Sequence, residues 1–275
     1  MSPLLFEKRP DGIGLITFNR PERMNALAPD VSALLLPAIQ DCASDPAVRC
    51  VVITGTGKGF CAGADIKSLN ERQSAAAAQA DKKADPMADF HDRVRSLRER
   101  QNAMPLLLHT MPKPTVAIVN GFAIGAGFSI ALGCDIRLAG SEAKLSTGYR
   151  NLALSGDFGG PYFLSKLVGD GLTRELLFTG EMMNAERALS LGIVNRVYPQ
   201  ATLMDEAMAF CRNLAEGPTL AMAMAKENLA AFAALGMQDS FDFEARNMIL
   251  GMKSADHFEA VRAFVEKRKP MFKGR

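Results

Sequence analysis

The stretch TVAIVNGFAIGAGFSIALGCDIRLA, residues 115–139, decides how this chain is read. Its first part, Thr115 to Asn120, is a short β-branched apolar run with the composition of a buried strand. Gly121 and then the turn Gly125-Ala126-Gly127 lead into Phe128 to Leu132, an apolar segment of helical character. A helix that opens on small residues leaves its first N–H groups unpaired and open to approach. The helix dipole reinforces them, so the turn suits negative charge, whether a bound anion or an oxyanion formed during reaction.

A second turn of the same kind lies upstream. Arg49 to Thr54 reads as a buried strand and Gly55 to Gly59 as a loop. Phe60-Cys61-Ala62-Gly63-Ala64-Asp65-Ile66 then supplies another small-residue corner. Two convergent N–H donors make an oxyanion hole. A thioester carbonyl becomes an enolate when its α-proton leaves, and that oxygen is what such donors stabilise. Either turn alone is better explained by close packing of strand on helix; the pair shifts the balance toward chemistry.

Working outward, Gly14 to Asn19 predicts a strand and Pro29 to Ala43 a helix started by Pro29 or Asp30. Asn70 to Asp85, polar and Ala-rich, reads as a mobile insert. Pro86 to His109 predicts one long charged helix. Lys144 to Gly160 carries few regular-structure cues. From Gly169 onward the pattern is helical, over Thr173 to Phe178, Asn184 to Ser190, Thr202 to Ala215, Pro218 to Leu235, Asp239 to Met252 and Ala255 to Lys269. One strand signal, Ile193 to Tyr198, interrupts it. The expectation is an α/β core over residues 1–200 and a helical region over 201–275, closely packed because no low-complexity linker separates them.

Composition removes several classes. A chain of 275 residues, 48% hydrophobic, can bury a full core. Its net charge of +2 argues against a nucleic-acid partner or a membrane surface. No apolar run approaches the ~18 residues of a membrane span, and Met1 to Pro10 lacks a signal-peptide core. Five cysteines, odd in number and never CxxC, favour reduced thiols and a cytoplasmic location. The three histidines show no metal-ligand spacing, so no metal site is expected. Gly125-Ala126-Gly127 lacks the third glycine of a dinucleotide fingerprint, and Gly59 stands where a P-loop needs Ser or Thr. Gly127-Phe128-Ser129-Ile130-Ala131 lacks the last glycine of a nucleophile elbow and does not directly follow a strand. That gives Ser129, with Asp157 and His257, little weight as a hydrolytic triad.

A family resemblance rests on motifs spread along the chain. They are Asn19-Arg20-Pro21 with Asn25-Ala26-Leu27, Gly59 to Ile66, Asn120 to Gly127, and Cys134-Asp135-Ile136-Arg137-Leu138-Ala139. Thr179-Gly180, Ala188 with Gly192-Ile193-Val194-Asn195, and Phe264 to Pro270 complete the set. In this order they resemble the enoyl-CoA hydratase/isomerase family, the crotonases. The resemblance implies a crotonase-like spiral of ββα units with a C-terminal helical trimerisation region, and a homotrimer or dimer of trimers. It implies an acyl-CoA thioester as substrate, with coenzyme A part of that substrate and no separate cofactor. It places the oxyanion N–H groups at Ala64 and Ala126. It gives the coenzyme to Arg23, Met24, Ala26, Ala62, Asp65, Ile66 and Lys67, with Ser129 also contacting substrate. The basic run Arg268, Lys269 and Lys273 near the end is suited to a neighbouring subunit's coenzyme phosphates, and equally to a solvated tail.

The departures from that family are as informative. Its hydratases carry two glutamates, and the matching positions here hold Ser129 and Tyr149. Asp157, in Leu154-Ser155-Gly156-Asp157-Phe158-Gly159-Gly160, falls where family isomerases carry an aspartate. A proton shift along an acyl chain needs one base that removes a proton and returns it elsewhere. An aspartate beside Leu154 and Phe158 is suited to a raised pKa, although a loop aspartate can equally bond its own backbone. Double-bond isomerisation is therefore the favoured activity. The alternatives are a hydratase using Tyr149 and Asp157, thioester hydrolysis or carbon–carbon cleavage, and a silent acyl-CoA-binding relative.

Overall fold

In a computed structural model of the chain, which describes residues 2–78 and 86–275, the backbone builds two sheets from a repeated ββα unit. An antiparallel pair, β1 (Leu4–Lys8) and β2 (Ile13–Phe18), comes first, followed by helix α1 (Pro29–Ser44). The first unit is β3 (Cys50–Gly55), β4 (Gly59–Cys61) and α2 (Ile66–Ala78). Helices α3 (Pro86–Gln101) and α4 (Leu107–Thr110) lead to the second unit, β5 (Thr115–Val119), β6 (Phe122–Ile124) and α5 (Ala126–Gly133). The third is β7 (Ile136–Gly140), β8 (Lys144–Ser146) and α6 (Gly160–Thr179). Then come β9 (Met183–Asn184), α7 (Ala185–Ser190) and β10 (Arg196–Tyr198). Four helices follow: α8 (Leu203–Ala215), α9 (Thr219–Ala234), α10 (Met237–Met252) and α11 (Ala255–Val265).

Each unit sends its first strand to one sheet and its second to the other. The large sheet runs β1-β2-β3-β5-β7-β10 and is parallel apart from β1. The small sheet runs β4-β6-β8-β9, with β4, β6 and β8 parallel. Strands such as TVAIV in β5 are buried along their whole length, as expected of parallel strands covered on both faces. The corner between β5 and β6 needs glycine: a Cβ on Gly121 would lie 1.9 Å from the Lys58 carbonyl oxygen.

Two apolar clusters hold the layers. One joins α1 and α5 to the sheets through Leu35, Ile39, Phe60, Phe128 and Ile130, with Phe18 and Phe60 edge-to-face at 5.8 Å. The other lies beneath α8, where Leu203, Ala207 and Cys211 meet Ile13, Val52, Ile118 and Leu138. Helix α9 is tied back by Lys226, whose Nζ donates to Asp135 Oδ2 at 2.8 Å and to Lys113 O at 3.1 Å.

Several elements differ from the sequence expectation. Residues 70–78 of the expected mobile insert are helical, continuing α2, and 79–85 lie outside the described residues. The single helix expected over 86–109 is divided: Pro105 sits in a π-helical turn, Asn102–Leu106, between α3 and α4, because proline cannot donate to the α-helical ladder. Helix α6 begins at Gly160 rather than Thr173 and kinks at Gly169, whose φ is +76°. No helix among the described residues is long and apolar enough to cross a membrane.

Candidate active site

The ββα repeat brings three turns side by side. Strands β4, β6 and β8 are parallel neighbours, so the chain leaves all three at the same edge of the small sheet. Ligands bind at such carboxyl ends in α/β sheets. The turn after β4 carries Ala62 to Asp65, that after β6 carries Gly125 and Ala126, and that after β8 leads to Tyr149.

The first two turns face one another through their backbones. Leu27 bridges to Ala64, its N–H bonding Gly63 O at 2.7 Å and its carbonyl taking the Asp65 N–H at 3.1 Å. Backbone groups alternate in direction along an extended chain, so the Ala64 N–H points to the opposite edge. On that edge Gly63 packs so tightly that a Cβ would lie 2.7 Å from Ile124 O and 3.5 Å from Ala126 N. Gly63 has φ +82° and Gly125 +55°, a region that glycine enters without steric cost. The Ala126 N–H is the first of α5 and has no carbonyl within its own helix to bond.

The third turn supplies the titratable groups. Tyr149 Oη lies 2.7 Å from Ser129 Oγ and 2.8 Å from Asp157 Oδ1, with the Asp157 carbonyl at 3.2 Å. Ser129, on the first turn of α5, also reaches Gly125 O at 3.2 Å. Gly160 makes room for this chain, since a Cβ there would meet Ser129 Oγ at 2.2 Å. The loop doubles back through left-handed residues, Ala153 (φ +55°), Gly156 (+117°) and Phe158 (+51°). That backbone is strained for phenylalanine, and the buried Phe158 ring anchors it beside Asp157. Burial raises the Asp157 carboxyl above its usual range, against the opposing pull of the Tyr149 hydroxyl and the Arg100 guanidinium. Burial, then the neighbouring Asp157 charge, pushes the Tyr149 phenol well up, so it keeps its proton at neutral pH.

The expected coenzyme-binding residues fall in two places. Met24, Ala26, Ala62 and Asp65 come together: Ala62 N bonds Met24 O at 3.0 Å, and Arg20 joins Ala26 O and Asp65 Oδ2, both at 3.3 Å. Asp65 is buried, which opposes ionisation, but the Ser68 N–H and the Arg20 and Arg23 charges more than offset this and hold its carboxyl low. Arg23, Ile66 and Lys67 are exposed on the rim. Lys269 lies apart from them within the chain and pairs with Glu216 at 2.6 Å, near the end of α8. Asn25 organises the loop although it carries no expected role. Its side chain accepts from Arg20 N at 2.7 Å and donates to Thr56 O and Gly59 O at 2.9 and 2.7 Å. The φ of +57° at Asn25 suits a residue type that tolerates the left-handed region. Cavities of about 610 Å³ among α9, α10 and α11 and about 270 Å³ against β1 and α1 have no lining residue from the three turns.

A spiral of ββα units with facing small-residue turns at one sheet edge defines a crotonase-type enzyme, and similarity to known proteins agrees. The profile of the enoyl-CoA hydratase/isomerase family matches residues 8–275. The chain is 33% identical to the 1,2-epoxyphenylacetyl-CoA isomerase of Escherichia coli (strain K12) over 264 residues, 96% of each chain. It is 34% identical to the crotonyl-CoA hydratase of Syntrophomonas wolfei over 274 residues, 98% of this chain and 97% of that one. The structure superposes on enoyl-CoA hydratase subunit I of Geobacillus kaustophilus HTA426 with a TM-score of 0.85 and 34% identity, covering 99% and 98% of the two chains. The chain belongs to the enoyl-CoA hydratase/isomerase family, whose members act on acyl-CoA thioesters.

Proposed function

We propose that this enzyme shifts a double bond along an enoyl-CoA thioester, with Asp157 as its single base and the Ala64 and Ala126 N–H groups as an oxyanion hole. Removal of the α-proton by Asp157 leaves an enolate whose oxygen the two N–H groups stabilise. Return of the same proton at the far end of the allylic system conjugates the double bond with the thioester. The step is redox-neutral and conserves all atoms, so it calls for no cofactor beyond the coenzyme A carried by the substrate.

The observation that carries this reading is the hydrogen-bonded chain Ser129–Tyr149–Asp157. Addition of water needs acceptors to orient and deprotonate it. Here the two relevant positions hold hydroxyls that bond each other, and a single carboxylate remains to act as base. Similarity to named relatives does not separate the activities, because an isomerase and a hydratase stand at 33% and 34% identity.

The test is a panel of 2-enoyl- and 3-enoyl-CoA thioesters, with products identified by mass and double-bond position. A double-bond shift without gain of water is expected. A 3-hydroxyacyl product as the main outcome would assign hydration instead, and absence of any product would leave an acyl-CoA-binding protein.

A further inference from the structure

The two oxygens of Asp157 have different neighbours. Oδ1 lies 2.8 Å from the Tyr149 hydroxyl. Oδ2 takes no hydrogen bond from the described residues. It is not sealed in either, because Gln200 Oε1 is the sole buried side-chain oxygen or nitrogen without a partner among them. A phenol has one proton and an ionised carboxylate only accepts, so the Tyr149 proton is directed to Asp157 Oδ1. The phenol oxygen then accepts from Ser129, which lies closer to it (2.7 Å) than to Gly125 O (3.2 Å). Gly160 packs over Ser129 Oγ and limits how far that hydroxyl can turn.

We infer that Tyr149, oriented by Ser129, is a positioning residue that reserves Asp157 Oδ2 as the one oxygen that takes and returns the substrate proton. The inference rests on reading Asp157 as the base of a proton shift. Its consequence is stereochemical and isotopic. A proton held on one oxygen that cannot rotate away is returned to the same face of the acyl chain, and part of a label carried at C2 reappears at C4. In balance, the C2–H bond breaks as Oδ2–H forms, and its electron pair makes the enolate. The oxyanion then re-forms the thioester carbonyl, the C1–C2 π pair becomes the C2–C3 double bond, and the C3–C4 π pair takes the proton from Oδ2 as the new C4–H bond. The charged group facing Asp157 from another element is Arg100 on α3, while Tyr149 faces it as a neutral hydroxyl with Ser129 behind it.

The experiment follows C2-deuterated 3-enoyl-CoA in ordinary water, recording label transfer to C4 and the pH dependence of kcat/KM. In Tyr149→Phe the acid limb should move to higher pH by roughly tenfold in proton concentration, as for loss of a hydrogen bond to a charged group. Label transfer should fall with KM little changed. Ser129→Ala should move both readouts the same way by less. Replacing tyrosine throughout by 3-fluorotyrosine keeps the shape and strengthens the donor, so the acid limb should move to lower pH, and it remains readable should Tyr149→Phe fail to fold. An acid limb and label transfer unchanged in folded Tyr149→Phe, or an acid limb unmoved by fluorination, would overturn the inference. Full turnover by Asp157→Asn would instead overturn the base assignment beneath it.

Discussion

Gly127 and Cys61 meet backbone against backbone: a Cβ on Gly127 would lie 2.1 Å from the Cys61 carbonyl oxygen. The start of α5 is therefore pressed onto the end of β4, which fixes how far the Ala126 turn can stand from the Ala64 turn. Gly127→Ala must part them. We expect a loss of stability of about 1–3 kcal/mol from overpacking and a fall in kcat toward the roughly 10²–10³-fold that loss of one oxyanion donor causes. Steady-state kinetics beside a thermal melt check this; a variant that melts lower with unchanged kcat would detach the contact from the chemistry.

Asp157→Asn keeps the side-chain shape and removes the proposed base. The proton shift should fall by roughly 10²–10⁴-fold, with coenzyme binding retained. Ser129→Ala should be mild by comparison and would be severe only if Ser129 were a nucleophile. The rate of conjugated-thioester formation, followed by absorbance, decides between them.

The same substitution has a stability signature. The folded protein holds the Asp157 proton more tightly than the unfolded chain, because burial raises the carboxyl above its ordinary 3.8. Its stabilisation is complete below that value and is lost as pH rises through the raised folded pKa. Asp157→Asn, which does not ionise, should melt above the native enzyme at pH 8, and the gap should close toward pH 4. A gap of constant size across that range would contradict the raised carboxyl.

Asn25→Ala removes three hydrogen bonds made by a side chain that is 1% exposed. Leaving Thr56 O and Gly59 O without that donor should cost about 1–3 kcal/mol. The loop carrying Arg23 and Met24 should loosen as well. Calorimetry should show a lower Tm, and KM for an acyl-CoA should rise more than kcat falls.

Helices α10 and α11 leave Phe241, Met248, Phe258 and Phe264 exposed, Phe264 to 86%. That is a large apolar surface for a single chain to show to water. We expect a homotrimer or dimer of trimers in light scattering at micromolar concentration. A monomer would leave this surface without an explanation.

The sequence shows some of this architecture directly and hides the rest for identifiable reasons. Strands β3 and β5 announce themselves through Val51-Val52-Ile53 and Val116 to Val119, because strands buried on both faces are apolar throughout. Strands β4, β6 and β8 are three residues each, too short for any periodicity, and glycine marks the turns beside them better than hydrophobicity does. Pro105 is a visible break that the surrounding charged helical pattern outweighs. Gly159-Gly160-Pro161 likewise marks the true start of α6, with proline in the first turn. Tyr149 stands out as a departure from the hydratase pattern, and Asp157 as a match to the aspartate of family isomerases. The bond between them depends on left-handed backbone at Ala153 and Phe158, residue types that seldom adopt it, and no sequence pattern reveals that.

Lys226 joins parts of the chain that lie far apart in sequence. Its ammonium closes contacts across 91 residues to Asp135 and 113 residues to Lys113. One side chain of α9 thus donates both to the residue that precedes β7 and to the loop that leads into β5. Taking that ammonium away would leave a partly buried carboxylate and a backbone carbonyl each short of a donor. The C-terminal helices and the ββα core are therefore tied through this cation.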